Sequence, residues 1–152
     1  WAGGLCCRTM KCLAPALLLL LPACGNGAYG TEMVKDTPVA RATMYHTDAV
    51  DAALADQVFQ AMVDGAYNFA SDLPEQVDRV NGRLTLRLCN DNEDTIATML
   101  ADPTDGAYNY FHGLAGHVSR AIGGEQVDIV LCRLKLDDPY VDIPWDPAKH
   151  GV

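Results

Sequence analysis

Long apolar runs, basic residues and recognisable catalytic motifs are all scarce in this chain, and each scarcity excludes a class of function. The longest apolar stretch, Cys12 to Ala23, has twelve residues, whereas a helix needs about twenty to cross a bilayer. That length argues against a membrane span and suits the hydrophobic core of a secretory signal. Lys and Arg number 11 against 20 Asp and Glu, for a formal net charge of −9. Polyanions are held by cationic patches, so nucleic acid is excluded as a partner. His112 and His117 are five apart and would point about 140° from each other on a helix, which denies them the shared face of a two-histidine metal site. The acidic clusters Asp91-Asn92-Glu93-Asp94 and Asp137-Asp138, with Asp142 and Asp146, lack the glycine and terminal glutamate of an EF-hand loop. They read as helix capping and as a soluble tail, so no metal and no cofactor is expected.

What is present begins with an address. Arg8 and Lys11 form a short basic region, five leucines follow at 17–21, and Ala23 is the small residue that precedes a signal-peptidase cut. Leu21-Pro22-Ala23-Cys24 resembles the lipobox of bacterial prolipoproteins. The resemblance implies that Cys24 is acylated and becomes the new N-terminus, so that the membrane is a partner through a lipid anchor. One acyl chain anchors only marginally and two or more do so stably. Gly25 stands where an acidic residue would resemble the inner-membrane retention signal, so the resemblance favours the outer membrane, facing the periplasm. Residues 1–9 precede Met10 and are set aside with the signal.

The chain therefore divides into upstream residues and signal peptide at 1–23, a lipid-anchored flexible tether at 24–37, and one globular domain at 38–152. The tether reading rests on three glycines and no periodicity in GNGAYGTEMVKD. Within the domain, alternation predicts strands at 39–45, 84–89 and 127–136. Helical spacing of Val50, Leu54, Val58 and Met62 predicts a helix to about Asp64, capped by Thr47 or Asp48. Ser71 and Pro74 suggest a short helix that Asn81-Gly82 ends. Further helices are predicted over roughly 92–101, stopped by Asp102 to Gly106, and over 107–122. The fold class is α+β, a small sheet of three or four strands packed with helices. Asp64-Gly65-Ala66-Tyr67-Asn68-Phe69 returns forty-one residues later as Asp105-Gly106-Ala107-Tyr108-Asn109-Tyr110. The same offset aligns Val77 with Val118, Arg79 with Arg120 and Gly82 with Gly123, and a two-residue insertion brings Leu88-Cys89 onto Leu131-Cys132. This points to an internal duplication of a helix-strand unit, with the strands at 84 and 127 parallel across a helical crossover.

Three groups of side chains are candidates for function. Arg83 and Arg87 share one parity, Arg133 and Lys135 another, and together they could gather cations on one sheet face to hold an anion or an acidic partner. Cys89 and Cys132 are an even pair in an oxidising compartment, either joined as a disulfide or buried as free thiols. Cys89, between a strand end and a helix start, with His112 or His117 as base, would make a small envelope hydrolase. The late aromatics Tyr140 and Trp145 are read as an arm packed along the domain. The favoured expectation is a cell-envelope lipoprotein whose domain binds or assembles with an envelope protein or cell-wall component and does no chemistry of its own.

Overall fold

The structure, a computed structural model, describes residues 28–37, 41–69, 73–102, 104 and 106–150. Outside the described residues lie the signal segment, the lipobox with Cys24, Pro38 near the expected first strand, Ser71 at the expected short helix, and Pro103 and Asp105 of the expected helix stop.

Among the described residues there are six strands: β1 (Thr31–Asp36), β2 (Arg41–His46), β3 (Glu75–Val80), β4 (Arg83–Cys89), β5 (Val127–Cys132) and β6 (Pro139–Ile143). They form one mixed sheet whose spatial order is the chain order. Neighbours alternate between antiparallel hairpins (β1–β2, β3–β4, β5–β6) and parallel pairs (β2–β3, β4–β5). Helix α1 (Ala52–Asp64) makes the first parallel crossover, α2 (Glu93–Leu100) and α3 (Gly106–Ala121) make the second, and the short α4 (Pro147–His150) follows β6. The expected sheet of three or four strands is thus corrected to six, with four helices.

Each additional strand has a local cause. In β1, Thr31, Met33 and Lys35 are half-buried while Glu32, Val34 and Asp36 are exposed, the alternation of a strand with one face toward the core. It occupies part of the segment read as tether. β3 replaces the short helix expected from Ser71 and Pro74. Its turn decides the matter: Asn81 and Gly82 have φ of 53° and 81°, the pair of positive values that a two-residue type I′ hairpin requires. Asn-Gly therefore joins two strands. β6 begins at Pro139 on the sheet edge, where a missing N–H does no harm.

One face of the sheet carries the main core. Met44, Val77, Leu84, Leu86, Leu88 and Ile129 are fully buried against Val58, Phe59 and Met62 of α1 and Leu114 and Val118 of α3. The buried positions of α1, from Ala55 through Val58, Phe59 and Met62, recur at the spacing of one helical face. Its cap is Asp51, not Thr47 or Asp48: the carboxylate accepts from the Ala53 and Leu54 amides at 3.0 and 2.9 Å. Asp51→Ala should cost about 1 kcal/mol, read as a lowered urea midpoint with unchanged slope.

The duplication fails in its proposed frame. Val77 and Arg79 lie on β3, whereas Val118 and Arg120 lie on α3. Tyr67 follows the end of α1, whereas Tyr108 sits in the first turn of α3. What survives is the strand end: β4 and β5 are parallel, with Leu88 opposite Leu131 and Cys89 opposite Cys132. The regularity of the fold lies in the repeated hairpin-then-helix order.

Candidate functional site

The described helices pack on one side of the sheet, and the opposite parity of β4, carrying Arg83, Thr85 and Arg87, faces away from them. Arg83 and Arg87 line a cleft of about 440 Å³ together with Asn81, Thr85, Asp128 and Asp142. Arg133 and Lys135 reach this side by a different route from the one expected. β5 ends at Cys132, four residues short of the predicted strand, so both lie on the loop at 133–138, where strand parity has no meaning. Lys135 shares a hollow of about 440 Å³ with Arg87, and shares another, of about 420 Å³, with Arg133. The four cations thus line adjoining hollows.

Their partners differ. Arg83 meets Asp128 at 2.7 Å, and its Nε is buried with no partner among the described residues. Arg133 meets Asp138 at 2.7 Å and lies over the Tyr140 ring at 5.6 Å. Arg87 has no carboxylate partner among the described residues, and its Nη1 lies 3.4 Å from the Leu136 carbonyl. The expected aromatic arm is a sixth strand followed by a segment tied back to the body. Asn90 Nδ2 donates to the Tyr140 hydroxyl at 2.7 Å, and the Trp145 amide donates to Asp128 at 2.7 Å.

Cys89 and Cys132 are free, buried and directly opposite each other on β4 and β5. With Leu136 they form a small second cluster of buried residues. The hydrogen bond between them, with burial, raises the Cys89 thiol, and the same bond, with the nearby Arg87, lowers that of Cys132. The histidines stand elsewhere. His112 stacks on Tyr108 with ring centroids 4.5 Å apart and borders a hollow beside β6. His117 packs against Gly65 at the end of α1, where an added Cβ would meet its ring at 3.0 Å. Neither is among the residues lining the hollow that Cys89 borders. Among the described residues no group of three or more His, Cys, Asp and Glu is arranged to hold a metal ion.

A second site escaped the sequence. At the carboxyl ends of β4 and β5, the position where open α/β sheets commonly bind ligands, lies a hollow of about 280 Å³. Tyr67, Asn68, Leu73, Cys89, Tyr110 and Phe111 are among its walls. Two of its walls, Tyr67 and Leu88, are partners of Glu75, which is only 1% exposed. Tyr67 donates to Glu75 Oε1 at 2.9 Å, while Oε2 is buried without a partner among the described residues. Burial raises the carboxyl to about 8, against the lowering effect of the Tyr67 bond. Burial, then the nearby Glu75, raises Tyr67 in turn. Glu-Gln-Val-Asp recurs at 75–78 and 125–128, but the repeat does not mark burial, since Glu125 is a half-exposed partner of Arg79. The second copy leads into β5, and the first opens β3 and points Glu75 inward with Val77.

Comparison with known proteins gives no lead: no family model matches the chain, and no significant match is found among curated proteins or solved structures.

Proposed function

We propose that this chain is an envelope lipoprotein, lipid-anchored through Cys24 on the periplasmic side of the outer membrane, whose folded body binds an anionic partner and does no chemistry of its own. The observation that carries the binding half is the arginine cleft on the sheet face that the helices leave uncovered, where Arg87 is without a carboxylate partner among the described residues. Guanidinium forks match carboxylates and phosphates, and in a chain of net charge −9 a local run of cations restricts where an anion can settle. The partner is an acidic envelope protein or a carboxylate-bearing cell-wall component. The anchor half is supported by the lipobox-like Leu21-Pro22-Ala23-Cys24.

The two halves have separate tests. Metabolic labelling with a fatty acid should mark the wild type and leave Cys24→Ser unlabelled; equal labelling would sink the anchor. Binding to purified cell-wall sacculi and to a glutamate-rich peptide should weaken roughly tenfold in the Arg83→Ala/Arg87→Ala double variant and lose its salt dependence. A double variant that binds both probes as well as wild type removes the cleft from consideration.

A further inference from the structure

We infer that the hollow at the carboxyl ends of β4 and β5 is a second binding site, separate from the arginine cleft, that takes a small primary alkylammonium with its head at Glu75 and its tail against Leu73, Ile96 and Leu131. Three observations converge on that chemistry. First, Glu75 Oε1 already accepts from the Tyr67 hydroxyl, whereas Oε2 is buried and unpartnered among the described residues. Once its proton leaves, that oxygen is a buried open acceptor, which is complemented by an N–H donor, most strongly by a charged one. Second, the described lining includes no Lys, Arg or His; its ionisable members are Tyr67, Cys89, Asp91 and Tyr110. The local field therefore favours a cation and repels an anion. Third, Tyr67, Tyr110 and Phe111 give aromatic surface that attracts an ammonium group and shields it from water. The volume of about 280 Å³ lies just below the 300 Å³ or so at which drug-sized sites begin, so the occupant is small.

Glu75 is not itself a wall of the hollow but is joined to two of its walls, Tyr67 by the hydrogen bond and Leu88 as its direct cross-strand partner, so the ammonium head reaches it past the Tyr67 hydroxyl. β2 contributes only the apolar Met44 opposite it. Around pH 7 the carboxyl, raised to about 8, holds its proton. An alkylammonium keeps its own proton at that pH, as a Lys side chain does. Its arrival therefore drives the Glu75 proton to the buffer and leaves a carboxylate paired with the ammonium.

The experiment is calorimetric titration of the wild-type protein with n-butylammonium near pH 7 in buffers of different ionisation enthalpy, with n-butanol and butyrate as controls. Saturable binding is expected, with a Kd on the order of 1 mM or tighter and release of close to one proton per ligand. n-Butanol and butyrate should bind roughly tenfold more weakly or not at all, and Glu75→Gln should weaken the ammonium by about as much. Tyr110→Ala, at a side chain exposed at the rim, should also weaken it, and decides the matter together with the proton count if the Gln variant folds poorly. The inference is overturned if n-butylammonium shows no saturation, if n-butanol binds equally, if no proton is released, or if the folded variants bind as wild type does. Loss of the arginine cleft should leave this titration unchanged, which keeps the two sites distinguishable.

Discussion

Glu75→Gln should make the protein more stable near neutral pH, by about 3 kcal/mol at pH 7. The folded carboxyl has been raised from 4.5 to about 8, with burial the leading cause. Below the lower value both the folded and unfolded chains hold the proton, and Glu75 carries no ionisation penalty. Between 4.5 and 8 the unfolded chain ionises while the folded one does not, so stability falls steadily as pH rises and levels off above the upper value. Gln is neutral throughout and nearly the same shape. Urea unfolding of both proteins at pH 5, 7 and 9 isolates this one group, because every other carboxylate is common to the two. The difference should widen from pH 5 to 7 and be largest at 9. Parallel stability curves would mean that the carboxyl ionises freely inside the fold.

The largest loss is expected for Phe59→Ala, about 3–5 kcal/mol. Phe59 is fully buried on α1, with its ring centroid 5.3 Å from that of Phe69. Lys35 of β1 lies over the ring at 5.2 Å and is held there by Asp56 at 2.8 Å. The ring therefore joins the helix to the loop after it and to the edge strand. Its removal leaves a cavity that those three elements can close only by moving. Phe59→Leu retains most of the volume and should cost under about 1.5 kcal/mol. Denaturant midpoints with unchanged slopes would measure both effects; an equal loss in the two variants would show that ring stacking outweighs the filled volume.

The parts of this fold readable in the sequence are those where periodicity alone decides. Val58 and Met62 on α1 and the alternating leucines of β4 fall in that group, whereas the parallel pairing of β4 with β5 follows from a crossover long enough to hold a helix. β3 is obscured because Pro74 suggests a helical first turn, while Asn81-Gly82, a strong hairpin signal, serves equally as a helix stop. β1 and β6 were lost because edge strands carry charge and proline to discourage further pairing, and those residues resemble linker: Lys35 and Asp36 in one, Pro139 and Asp142 in the other. Among candidate site residues, Arg83 and Arg87 follow from strand parity and share one cleft. Glu75 was not legible, because a glutamate is ordinarily solvated. Its burial comes from the cross-strand register with Leu88 and the reach of Tyr67 from eight residues away, and neither is local.

Because each strand sits beside its sequence neighbours, no strand must wait for a distant stretch of polypeptide before it can pair. Ordering can spread hairpin by hairpin from either border of the sheet, with modest loop-closure entropy at each step. Such an architecture suits a chain delivered from one end, since the portion already emerged can be largely assembled while the remainder is still arriving.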